Sequence, residues 1–351
     1  MKEKYLWVDV LRVFAIVAVV IVHVSADIVT EWRSVPWSGW WVANFYDSLA
    51  RGAVPVFVML SGALLLPQVE SYRDFFRKRF QRIFIPFIAW SVFYLLWRKY
   101  FYAPSMGLPE ALRRLANGEV HFHLWFLYLI TGLYLLTPFL RLFTAHATRR
   151  DLFYFLGLCF LIASLVPCWE RLDALFFHTG LGFRIPVEAA QGFIVYFLLG
   201  FVLLRESKPS FVPAAGFLWF AMLLLCFFGS GWIVFHKNQF PALFYDNLAP
   251  NVVLYAASFF VIVKEMTPRL EAGLSEGMRR VALSLSTASF GIYLIHPVFI
   301  DIFNHGRWGF VLTAKMGHPA WSIPLIALAV YFCSYLAVFG IRKIPVLRTA
   351  V

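Results

Sequence analysis

The chain opens on a run that admits few folds. From Leu6 to Ala26 it reads LWVDVLRVFAIVAVVIVHVSA. About twenty consecutive, mostly apolar residues are what an α-helix needs to cross the hydrocarbon core of a bilayer. Comparable runs recur near residues 44–66, 80–101, 123–143, 151–167, 189–204, 212–235, 249–264, 281–303 and 320–341. Lipid offers backbone N–H and C=O groups no partners, so such runs must satisfy themselves as helices. The pattern predicts an all-α polytopic membrane protein with about ten transmembrane helices. Composition supports this: 61% of the 351 residues are hydrophobic and 14% charged, against about 25% charged in an ordinary soluble domain.

Orientation follows from the positive-inside rule. Lys and Arg concentrate in the loops that share a side with the N-terminus, which predicts that the N- and C-termini are both cytoplasmic. The net charge of +12 is spread over these loops, where it sets topology and touches anionic lipid. It does not imply a nucleic-acid partner. No compositional break divides residues 1–351, so a single membrane domain without an appended soluble domain is expected. The first run is too long and too polar for a removable signal peptide. The four cysteines show no paired spacing, so neither a disulfide framework nor a metal site is expected. Trp37, Trp40, Trp41 and Trp125 fall near proposed span ends and suit an aromatic belt.

Hydropathy does not explain Asp9, Arg12 and His23 inside the first run. An ionisable group in a span is costly and usually faces a polar interior. Arg12 and His23 are eleven residues apart, close to three turns, so they share a face about 16 Å apart along the axis. Asp9 lies one turn before Arg12, and Asp27 one turn after His23. With the predicted topology the polar residues gather on two sides. Toward the cytoplasm, Asp9 and Arg12 are joined by Arg77, Lys78, Arg79 and Arg82. Arg79 and Arg82 are one turn apart, a pair suited to phosphate. Toward the outside lie His23, Arg51, His121, His123 and His296, with Asp301 beyond. Histidine can be neutral near pH 7 and is the natural base for a hydroxyl acceptor. Arg51 could hold an anionic acceptor or stabilise an oxyanion. His121 and His123 diverge if helical, so at most one is expected to face the interior. No nucleophilic-serine motif, Gly-rich phosphate loop or H-E-x-x-H motif is present.

These residues carry a resemblance. Asp9-x-x-Arg12 with His23 eleven residues on, Arg51 before VPVFVMLSG (Val54–Gly62), Arg79-Phe-Gln-Arg82, His123-Leu-Trp125-Phe-Leu, and SFGIYLIHP ending in His296 and Pro297 occur in order along the chain. Together they resemble the acyltransferase-3 family of integral-membrane O-acyltransferases, many of which modify surface polysaccharides. The resemblance implies acyl-CoA, by default acetyl-CoA, as the donor on the cytoplasmic side, with a hydroxyl of a saccharide or glycolipid as acceptor. It implies His23 as the catalytic residue, with Asp9 and Arg51 assisting. Arg12, Lys78, Arg79 and Arg82 would lie on the donor, and His123, Trp125 and His296 near substrate. No metal is implied. The expected setting is the cell inner (plasma) membrane, with the lipid bilayer and polysaccharide-synthesis machinery among the expected partners. The competing reading is a transporter or flippase of a glycolipid or small anion, in which the same charges line a permeation path. The absence of a clear internal repeat stands against it.

Overall fold

The computed structural model describes residues 5–179, 192–271, 273–345 and 347–351. Among these residues there is no strand. The helices are α1 (Leu6–Val29), α2 (Trp37–Ala50), α3 (Ala53–Leu65), α4 (Tyr72–Arg79), α5 (Ile85–Phe101), α6 (Leu108–Asn117), α7 (Trp125–His146) and α8 (Arg149–Phe160). They continue as α9 (Val166–Leu172), α10 (Ile194–Glu206), α11 (Val212–Lys237), α12 (Ala242–Tyr245), α13 (Pro250–Glu271), α14 (Glu276–Asn304) and α15 (Pro319–Arg342). Joined through short turns, they make nine helical stretches long and apolar enough to cross a membrane among the described residues. The protein is an all-α, multi-pass membrane protein. The span expected at 189–204 corresponds to α10, whose 13 residues make about 20 Å of helix; residues 189–191 lie outside the described residues.

The first run becomes the centre of the bundle. α1 packs against α2, α3, α13, α14 and α15, and Leu11, Ala15, Ile16, Val20 and Ile28 along it are fully buried. Side chains such as Leu135, Phe139, Phe217 and Leu328 stay exposed on the bundle's flanks, as they must where the solvent is lipid. α3 and α10 meet through two glycines. A Cβ on Gly62 would lie 1.8 Å from the Phe197 carbonyl oxygen, and one on Gly200 would lie 2.0 Å from that of Met59. Only a residue without a side chain permits this approach, the usual device for close helix packing in membranes.

Three local features depart from the hydropathy reading, and proline accounts for two of them. The second span begins at Trp37 and breaks at Arg51–Gly52. Pro55 has no N–H to return to the Arg51 carbonyl, so one helical hydrogen bond is missing where the helix breaks. The third span contains a π-helical stretch, Phe80–Phe84, and the fifth two more, Leu161–Leu165 and Asp173–Phe177. The first two precede a proline, Pro86 or Pro167, whose missing N–H would have bonded inside the stretch. Arg82 sits in the first of them. The third departure is the loop at 102–122, which holds an amphipathic helix, α6. Trp40 is also not a belt residue: it is fully buried, and its Nε1–H donates to the Val29 carbonyl at 3.3 Å.

Candidate functional site

At the end of the bundle where α1 begins lies a cavity of about 780 Å³. Asp9 and Arg12 reach it from α1, Lys78 and Arg79 from α4, Arg82 from the π-helical stretch, and Arg342 from the end of α15. Tyr134 of α7 and Ser286 and Ser289 of α14 complete its polar lining. Asp9 accepts a 2.5 Å hydrogen bond from Ser286 Oγ and lies 3.9 Å from the Arg12 guanidinium, so it ties α1 to α14 and steadies Arg12. Glu70 sits beneath the cavity rim with Lys78 at 2.7 Å, Arg141 at 3.0 Å and Arg79 at 3.2 Å. Burial opposes ionisation of Glu70, yet the hydrogen bonds from Lys78 and Arg141 and the charge of Arg79 hold its carboxyl below its ordinary range. Arg79 and Arg141 both lie over the Phe75 ring, at 4.4 and 4.6 Å. Arg82 has no carboxylate within ion-pair distance among the described residues. The π-helical stretch thus presents an uncompensated guanidinium to the cavity, an arrangement suited to phosphate.

At the opposite end lies a second cavity, of about 470 Å³. His23 and Asp27 reach it from α1, Tyr94, Trp97 and Arg98 from α5, His121 and Phe122 from the turn before α7, and Asp301 and Asn304 from α14. Asp27 accepts from Asn304 Nδ2 at 3.0 Å and is not directed to the His23 ring by any hydrogen bond among the described residues. Asp301 is held by Trp97 Nε1–H at 3.1 Å, by Arg307 at 2.7 Å and by the Tyr102 hydroxyl. His121 stacks on Tyr94 with ring centroids 4.3 Å apart. Burial, and next the Arg98 charge, push the His121 imidazole down to about 4, against the pull of Asp301. It is neutral at pH 7.

The two cavities come within one helical turn of each other. On α14, Tyr293 lines the first and Pro297 the second, a separation of about 6 Å along the axis. Before α7, Phe122 lines the second cavity, while Phe126 lines the first. The wall between them is built from His123 and His296, both fully buried. Their rings are 5.6 Å apart, and the His23 ring stacks on that of His296 at 5.3 Å. The Tyr293 hydroxyl closes the wall by donating to the His123 carbonyl. His296 Nδ1 faces the Tyr293 carbonyl at 2.8 Å. A carbonyl can only accept, so in the neutral ring the proton is on Nδ1 and Nε2 keeps its lone pair. Neither His123 Nε2 nor His296 Nε2 has a hydrogen-bond partner among the described residues.

His121 and His123 do not diverge as a helix would require. Helix α7 begins only at Trp125, residues 122–124 form a turn, and the two Nδ1 atoms meet at 2.8 Å. Two other sequence candidates are placed elsewhere. Arg51 lines neither cavity; its guanidinium is ion-paired with Asp47, donates to the Tyr245 carbonyl at 3.1 Å and lies over the Tyr245 ring. Trp125 packs on Phe193 with centroids 5.6 Å apart. Asp9 lies fourteen residues from His23 on one straight helix, about 21 Å, so the two belong to different cavities. Sequence reasoning missed Glu70, Tyr134, Arg141 and Arg342. It also missed Ser286, Ser289 and Tyr293, although 286, 289, 293 and 296 form a stripe at helical spacing.

Two polar cavities thus enter an apolar, membrane-spanning bundle from opposite ends. The chain belongs to a membrane acyltransferase family: a family model described as an acyltransferase domain matches residues 5–341, nearly its whole length. No match to the chain is found among curated proteins or among solved structures.

Proposed function

We propose that this membrane acyltransferase moves an acyl group, acetyl in the simplest case, from acyl-CoA to a hydroxyl of a saccharide or lipid-linked saccharide. In this reading the chain sits in the plasma membrane with both termini in the cytoplasm, and the basic cavity opens to the cytoplasm. The observation that carries the proposal is the pair of cavities, one cationic and one lined by imidazole and aromatic side chains, separated by a single turn of α14. A donor with a polyanionic head and an acceptor with hydroxyl groups need these two environments, held apart until the reacting atoms meet.

The residues of the basic cavity fit the donor. Its volume lies within the range of small-molecule sites, about 300–1,000 Å³. Arg12, Arg79 and Arg82, with Lys78 at the rim, supply guanidinium and ammonium donors for phosphate oxygens. Phe57, Phe126 and Tyr293 line its apolar depth, where a thioester arm would be shielded from water. In the second cavity, Trp97 and Tyr102 offer faces for a sugar ring, and Asp27, Asn304 and Asp301 offer partners for its hydroxyls. His23 is the base: it takes the proton of the acceptor hydroxyl as oxygen attacks the thioester carbon, then returns it to the departing sulfur.

The test is turnover of labelled acetyl-CoA by purified protein in proteoliposomes, with an extract of envelope glycolipids as acceptor. Wild type is expected to move label into lipid or glycan. His23→Ala is expected to abolish transfer while leaving CoA binding intact. Near-normal turnover by that variant refutes the assignment of the base. Movement of a glycolipid across the membrane without thioester consumption would instead establish a transporter.

A further inference from the structure

We propose that His123 supplies the hydrogen-bond donor that stabilises the oxyanion of acyl transfer, and that His121 fixes the tautomer this requires. The proposal rests on the acyl-CoA reading above and assigns a role that reading leaves open. His123 stands in the wall between the cavities, one residue after Phe122 and three before Phe126, where donor and acceptor must meet. Its Nε2 is buried and has no hydrogen-bond partner among the described residues. Leaving such an atom unpaired costs on the order of 1–3 kcal/mol. It therefore marks a position where the working enzyme places a polar atom.

The tautomer follows from the neighbours. His121 is neutral, and two neutral imidazoles 2.8 Å apart at Nδ1 share one proton in that contact. If His121 donates, His123 carries its own proton on Nε2; if His123 donates, its Nε2 is a lone pair. The His296 ring, 5.6 Å away, already keeps a lone pair on its unpartnered Nε2. A second lone pair in the same dry wall has nothing to compensate it. A donor at His123 Nε2 is complementary to that lone pair and to the negative oxygen formed when the thioester carbonyl is attacked. The step balances. The hydroxyl proton passes to His23, the C–O bond forms and the carbonyl oxygen gains charge against His123 Nε2–H. The C–S bond then breaks and sulfur recovers the proton from His23.

The experiment compares wild type, His123→Ala and His123→Gln in proteoliposomes, with acetyl-CoA as donor and the envelope glycolipid extract as acceptor. CoA binding and thermal unfolding are measured on the same samples. Removing an oxyanion donor lowers kcat about a hundredfold or more. His123→Ala is expected to show that loss in kcat with unchanged donor KM and CoA affinity, and the fall in melting temperature from the cavity it leaves is read separately on the same samples. His123→Gln, which restores an N–H at similar reach, is expected to recover at least tenfold of it. Nitrogen NMR of histidine-labelled protein is expected to report the Nε2–H tautomer for the resonance missing from His123→Gln, and its loss in His121→Ala. Wild-type turnover with His123→Ala within threefold of it, or an Nδ1–H tautomer at His123, overturns this proposal alone. A wild type that consumes no thioester overturns the acyl-CoA reading and this proposal with it.

Discussion

Replacing Glu70 by Gln is expected to tighten CoA binding while weakening the fold. The carboxylate of Glu70 is shared by Lys78, Arg79 and Arg141 at 2.7 to 3.2 Å, and two of these cations line the basic cavity. Gln is isosteric and still offers an amide oxygen, so Arg79 and Arg141 keep an acceptor. Both are also held on the Phe75 ring, and Arg141 donates to the Leu65 carbonyl at 2.9 Å. The guanidiniums therefore stay in place and only the neutralising charge goes. One unit charge at about 4 Å is worth roughly 4 kcal/mol at an effective dielectric of 20. Arg79 already spends part of that on Glu70, and Lys78 is solvent-screened. Recovering about a third gives ~1.4 kcal/mol, a tenfold lower Kd. Exchanging charge-assisted for neutral hydrogen bonds costs the fold about 1–3 kcal/mol. Isothermal titration of CoA into detergent-solubilised wild type and Glu70→Gln, at two salt concentrations, measures the first effect. Thermal unfolding measures the second. An unchanged or weaker Kd in a variant with the expected loss of stability would show that Glu70 positions the cations rather than neutralises them, and the reasoning would fail.

Arg82→Ala is expected to raise the donor KM about ten- to a hundredfold with little change in kcat, since one unpaired guanidinium contributes roughly 1.5–3 kcal/mol to a charged ligand. Steady-state kinetics with varied acetyl-CoA would show it, and a pure kcat loss would contradict it. Gly62→Ala is expected to cost ~3 kcal/mol or more, because its Cβ would meet backbone rather than a yielding side chain. A melting temperature within two degrees of wild type would count against the close α3–α10 seam. His121 binds its proton less readily when folded, at about 4 against 6.5. The unfolded chain thus takes up more protons between those values, and stability falls as pH drops through that window, by about 3 kcal/mol at its lower end. The acid-side fall in melting temperature should be shallower in His121→Asn, and parallel pH profiles would remove His121 as the cause.

Much of this architecture can be read along the chain. The bilayer requires long apolar helices whatever their neighbours, so the spans are legible one at a time, and so are the charges too costly to be there by chance. Asp9, Arg12 and His23 stand out in their own run, and the eleven-residue spacing already puts the last two on one face. What hydropathy misses are breaks set by single prolines: the gap at Arg51–Gly52 and the π-helical turn that carries Arg82 depend on one absent N–H each, which barely alters a window average.

Tertiary structure alone decided which charges remain available. Arg51 and Arg82 are equally conspicuous in sequence, yet Arg51 is bound to Asp47 one turn before it, and Arg82 faces the cavity with no carboxylate within ion-pair distance among the described residues. The joining of His121 and His123 depended on a turn where a helix was expected. The cavities themselves arise where α1 and α14 meet α3, α4, α7 and α15 at one end and α5 at the other, bringing residues from distant parts of the chain together. Local pattern specifies each helix because backbone hydrogen bonding in lipid is a local demand. A site made of contacts between helices depends on packing, which no single stretch of sequence contains.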